Sequence, residues 1–136
     1  MLRMTSPRTT LLAVGLEYAD RRLLARAAAK AGCMISLAST IASARMLQAG
    51  RIAPIIFCER DLPDGTWKDL LDFGRNVIVV SRVADESFWA DVLNRGGHDA
   101  LASPLEERDV LHALGSACRD ARCLEATSGE KWATAS

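Results

Sequence analysis

The chain has 136 residues, enough for one domain with a single core and too few for two. Apolar residues make up 49%, charged residues 25%, and the formal net charge is zero, so neither the basic excess nor the basic stripe of a protein that grips nucleic acid or an anionic membrane surface is expected. No apolar run approaches the roughly 20 residues that cross a bilayer, and residues 1–9 lack the apolar stretch of a signal peptide; both point to a cytoplasmic protein with no membrane and no nucleic-acid partner.

Short apolar runs alternate with amphipathic stretches. Residues 11–16 (LLAVGL) read as a buried strand. Residues 18–31 carry Leu23, Leu24, Ala27, Ala28 and Ala31 at helical spacing with arginines between them, and Gly32 stops that helix. Residues 33–38 form a second strand, and Ser39 or Thr40 caps a helix that runs through Met46 and Leu47 to Gly50. The third strand spans 52–58, with Pro54 near its start, where a missing N–H costs least. ERDLPDG makes a loop, 66–73 a short helix, and 76–80 the most β-branched strand. Residues 85–94 are helical and are closed by Gly96 and Gly97, and 99–102 make a short last strand. Pro104 opens a final helix with Glu106 and Glu107 in its first turn, where negative charge suits the dipole, and with Leu111, Leu114 and Cys118 on its inner face.

Five strand-then-helix units with uniformly apolar strands imply a parallel sheet covered on both faces, joined by right-handed connections. The prediction is an α/β domain over residues 9–123: a doubly wound five-stranded parallel sheet of flavodoxin-like order 2-1-3-4-5 with five helices. Residues 1–8 read as a flexible N-terminus and 124–136 as a polar tail, in spite of Trp132. Cys33, Cys58, Cys118 and Cys123 lie in or beside apolar segments without metal-ligand spacing, which predicts reduced, mostly buried thiols and no metal. His98 and His112 read as rim residues. Neither a Ser–His–Asp arrangement nor a glycine-rich phosphate loop can be argued, so no enzyme is expected.

LPDG after the third strand, SP after the fifth, and the order of the landmarks resemble the receiver domains of two-component signalling, over roughly residues 9–122. In that CheY-like family an Asp three residues before the Leu of LP takes up phosphate from a histidine kinase; that position here is Glu59. The two acids that hold Mg²⁺ after the first strand match Gly15 and Leu16, with Glu17 one step along. A Ser or Thr ends the fourth strand, and Ser81 keeps that role. The Lys before the last Pro is replaced by Ser103, and the aromatic of the fifth strand by Ala100.

Phosphoryl transfer needs an in-line nucleophile and cations to hold developing charge. Mg²⁺ wants carboxylate and water oxygens in an octahedron; Gly15 offers only its carbonyl and Leu16 no side-chain ligand, so Mg²⁺ binding is expected to be lost or weak and no cofactor is implied. The resemblance therefore implies a degenerate response regulator, a pseudo-receiver of phosphorelay signal transduction. It would act without phosphorylation, by contact with a histidine kinase, an output protein or a second copy of itself. The alternative is a working receiver with a rearranged site that uses Glu17, Asp61 or Asp64 for metal. A small enzyme on a flavodoxin-like sheet is the weaker third reading.

Glu59 reaches one C–C bond further than Asp. It either holds Ser81 by a hydrogen bond as a permanent phosphate mimic or is a solvated loop acid. Asp61 and Asp64 flank Leu62-Pro63 and read as turn chemistry rather than an acid pair. Cys58 beside a carboxylate reads as a packed thiol. Phe88, Trp89 and His112 are the interface candidates; an exposed Trp89 would be an anchor, while one of Trp67 and Trp89 is expected to pack on the sheet.

Overall fold

The computed structural model describes residues 9–120. In chain order the elements are β1 (Thr10–Val14), α1 (Tyr18–Ala31), β2 (Met34–Ala38), α2 (Ile41–Gln48), β3 (Ala53–Glu59), the hairpin strands β4 (Asp61–Leu62) and β5 (Gly65–Thr66), a 3-10 turn (Trp67–Leu70), β6 (Gly74–Ser81), α3 (Glu86–Asn94), β7 (Asp99–Ala102) and α4 (residues 107–120).

β1 is apolar on both sides because both sides are covered. Leu11 and Ala13 face one helical layer; Leu12 and Val14 face the other. The first layer is α1 with α4, where Leu24, Ala27, Ala28, Ala113, Leu114 and Ala117 pack on Ile55, Phe57, Ile78 and Val80. The second is α2, the 3-10 turn and α3, where Ile41, Ala44, Trp67, Leu70, Phe88 and Val92 pack on Ile56, Cys58, Val77 and Val79. The sheet is parallel throughout, in the order β2-β1-β3-β6-β7. Set aside the hairpin, which lies outside the sheet, and this is the doubly wound five-stranded order predicted from the sequence.

Local chemistry sets the ends. Gly32 closes α1 at φ 75, in the left-handed region. Thr40 caps α2 by accepting the Ser43 N–H at 3.0 Å, and Asp85 caps α3 by accepting the Phe88 N–H at 2.9 Å. Buried Asn76 is satisfied by donating to the Pro54 carbonyl at 2.9 Å.

Three expectations need correction. The helix expected over 66–73 is a single 3-10 turn, because the chain is drawn into the sheet early: the Phe73 carbonyl accepts the Ala53 N–H at 2.7 Å. The ERDLPDG loop contains the β4–β5 hairpin. Pro104 does not open the last helix. The Ser103–Pro104 bond is cis and α4 begins at residue 107, since the Leu105 N–H is committed to a side chain of α1. The described residues thus hold four α-helices and the 3-10 turn rather than five helices.

The expected termini at 1–8 and 124–136 lie outside the described residues, as does Cys123. Among the described residues no helix is long and apolar enough to cross a membrane. Cys33, Cys58 and Cys118 are buried, with the Cys33 and Cys118 sulfurs 3.3 Å apart.

Candidate functional site

The carboxyl ends of parallel strands are where open α/β sheets hold ligands. Here β1, β3, β6 and β7 bring Gly15, Glu59, Ser81 and Ser103 to one end of the sheet. Glu59 closes β3, half-buried and level with Val80 of β6. Its carboxyl is pushed up from 4.5 to about 7, first by burial and then by the negative charges of Asp20 and Glu17; Arg82 opposes this and Asp61 adds to it. Glu17 and Arg82 form an ion pair at the mouth of the site. Both are well exposed, so water screens the pair and little stability comes from it.

Asp20, from the first turn of α1, is 3% exposed and lies beneath them. It accepts the Ser103 hydroxyl at 2.6 Å and the Leu105 N–H at 2.9 Å. Two charge-assisted hydrogen bonds therefore fix the loop after β7 to α1. Sequence reasoning missed Asp20, although a signal existed: it shares a helical face with Leu24, Ala27 and Ala28, the buried residues of that helix.

The two positions matched to metal-binding acids are closed in different ways. Gly15 sits at φ 70. A Cβ there would lie 2.4 Å from Cδ2 of Leu62, so a side chain would meet a strained left-handed backbone and would have to displace the leucine tip. Leu16 is 3% exposed and belongs to the α1–α4 layer. Among the described residues no group of three or more His, Cys, Asp or Glu side chains is placed to hold a metal ion. The donor set does not fit Mg²⁺.

Ser81 is buried, and its Oγ accepts the Val83 N–H at 3.1 Å, within its own loop. The expected mimic bond from Glu59 to Ser81 is not among the hydrogen bonds of the described residues. Asp64 does not face this site. Its two oxygens accept the N–H groups of Ile41 and Ala42 at 2.9 and 3.0 Å, so it serves the N-terminus of α2, and those bonds hold its carboxyl below the usual range. This removes Asp64 from the rearranged metal site considered above. Burial, and then Glu59, push the Cys58 thiol up, which leaves it a packed residue rather than a nucleophile.

Ala100 is half-buried against the α2–α3 layer. Of the interface candidates, Phe88 is 8% exposed and packs on the sheet beneath the Arg60 guanidinium, so it is a core residue. Trp89 is 49% exposed, with its indole N–H donating to Asp99 at 3.2 Å, and His112 is exposed on α4. Trp67 is the tryptophan that packs on the sheet. His98 is half-buried and hydrogen-bonded to Ser116 at 3.1 Å. Chemically, the arrangement offers a carboxyl that exchanges its proton near neutral pH, among acids and one arginine.

No family model matches the sequence, and no curated protein matches it. Solved structures do match the fold. The chain is similar to the signal receiver domain of an HD domain-containing protein from Pseudomonas fluorescens Pf-5, with TM-score 0.71 and 20% identity over 86% of this chain and 99% of that one. It is similar to a two-component response regulator from Clostridium difficile, with TM-score 0.70 and 20% identity over 82% and 97%. It is also similar to a CheY-like receiver domain protein from Methanospirillum hungatei JF-1, with TM-score 0.69 and 17% identity over 85% and 98%. The fold is that of the receiver domains of two-component response regulators.

Proposed function

We propose that this chain is a receiver-like regulatory domain that works by protein contact and runs no phosphorylation cycle of its own. The observation that carries this reading is Gly15, with a left-handed backbone and the tip of Leu62 over it, at the position where the resemblance implies a metal-binding carboxylate. Leu16 in the core and Ser103 hydrogen-bonded to Asp20 support it from either side. Without acids for Mg²⁺ and a cation for the phosphoryl oxygens, developing charge has nothing to settle on. In this reading the domain has no enzymatic activity, and its partner is a histidine kinase or output protein of a two-component pathway.

The test is incubation with acetyl phosphate, or with beryllofluoride, in excess Mg²⁺. Buried Trp67, whose backbone N–H donates to the carbonyl of Arg60 next to Glu59, reports on the site by fluorescence while intact mass reports covalent phosphate. The expected result is no adduct and no Mg²⁺-dependent fluorescence change. A phosphoryl adduct, or saturable quenching by Mg²⁺, overturns the reading.

A further inference from the structure

From residue 21 to residue 58 the chain has no Asp or Glu, yet it holds Arg21, Arg22, Arg26, Lys30, Arg45 and Arg51. The neutral total conceals this because the acids crowd elsewhere. The stretch builds α1, β2 and α2, which form one edge of the molecule. Lys30 and Arg45 are matched from outside it, by Glu107 at 2.6 Å and Asp72 at 3.1 Å, and Arg26 lies in the field of Glu107. Arg21 and Arg22 lie over the exposed Tyr18 ring, each 5.7 Å from its centroid. Neither they nor Arg51 form an ion pair among the described residues.

Apolar surface gathers at the same edge. Of the nine large apolar side chains left exposed among the described residues, six belong to it: Tyr18, Met34, Leu37, Met46, Leu47 and Ile52. Exposed apolar groups scattered singly need no explanation, but a contiguous group marks a contact surface. A groove of about 560 Å³ runs here, lined by Arg21, Leu37, Ala38, Ser43, Met46 and Leu47.

The backbone of β2 adds a third element. The Met34 N–H donates to Thr9 and the Ala38 carbonyl accepts from Gly15, so residues 34, 36 and 38 address β1. Alternation then turns the N–H and C=O of Ile35 and Leu37 away from the sheet. An open edge is usually guarded by charge, proline or shortness. β7, at the other edge, is four residues long and opens on Asp99, whereas MISLA in β2 has neither charge nor proline.

We propose that this edge docks an extended segment of a partner protein, in which apolar residues alternate with carboxylates, as an added strand beside β2. The strand's backbone completes the bonds of Ile35 and Leu37, its apolar side chains cover Leu37, Met46 and Leu47, and its carboxylates meet Arg21, Arg22 and Arg51. Lipid headgroups and nucleic-acid phosphates match the arginines but leave the edge amides unpaired. A second copy paired edge to edge sets the same cations against each other.

This names a partner surface for the contact reading above and rests on it. Its test uses unphosphorylated protein, so its failure leaves the acetyl phosphate result standing, and the reverse. A random-peptide display library is panned against the whole chain, and the enriched peptides are added to it in hydrogen-exchange and titration experiments. The expected result is enrichment of alternating acidic and apolar residues, slowed exchange at the Ile35 and Leu37 amides, and binding weakened about tenfold by Arg21→Glu and separately by Leu37→Lys. Arg95→Glu, after α3 beside the opposite edge strand β7, leaves binding unchanged. The proposal is overturned by peptides without that bias, by unchanged exchange at Ile35 and Leu37, or by an edge that binds only anionic vesicles, an oligonucleotide or a second copy.

Discussion

Asp20 gives both carboxylate oxygens to a single loop, and so connects the start of α1 to the end of the sheet. Asp20→Ala leaves the buried Leu105 N–H without its acceptor and is expected to destabilise the fold by about 1–3 kcal/mol, read from urea denaturation midpoints. Ser103→Ala removes one bond while leaving Asp20 the other, and the loss should be smaller. Glu59 makes a prediction in pH. Below its ordinary value of 4.5 both folded and unfolded chains carry the proton, and burial of the group costs nothing. Between 4.5 and about 7 the unfolded chain releases the proton first, so stability falls as pH rises through that window. Glu59→Gln should flatten that fall and raise stability at pH 8, checked by thermal denaturation across the range. A slope unchanged by the substitution would show that other groups set it. The sequence landmarks named Glu59, Gly15, Ser81 and Ser103, which the fold brings to one end of the sheet, and Leu16, which it packs in the core. They did not disclose Asp20 against Ser103 or Leu62 over Gly15, because each contact joins residues that only the folded chain brings together.

The same division holds for whole elements. The strands were legible because an apolar run covered on both faces is a local pattern, and their ends moved by no more than two residues. The turn at Trp67–Leu70 and the late start of α4 were not legible. The first depends on Phe73 meeting Ala53, and the second on Leu105 meeting Asp20. Gly15 shows what such a contact is worth. Gly15→Ala combines a left-handed backbone with a clash against Leu62, and is expected to cost about 1–3 kcal/mol. Leu62→Ala in the same chain removes the clash but not the backbone strain. A double-mutant cycle should therefore return a coupling between the two sites in denaturant unfolding; additivity would place Leu62 elsewhere in solution.

At the scale of the molecule, β3 is the central strand and Phe57 is fully buried on it. Phe57→Ala is expected to cost about 3–5 kcal/mol, a large share of the about 5–15 kcal/mol that holds a domain of this size together. The loss should appear as a shifted but still single unfolding transition by circular dichroism and by Trp67 fluorescence alike. Charge is the other property of the whole, and the zero total misled: it averages an acid-free stretch, residues 21–58, against a remainder rich in acids. Asp64 joins those two regions. It stands in the acidic loop beyond Glu59, yet grips the first two amides of α2 on the basic edge. The hairpin and that helix are thus coupled like two arms of a rocker, with the carboxylate as the pin. A tilt of α2 would load those two bonds first, and through them the hairpin.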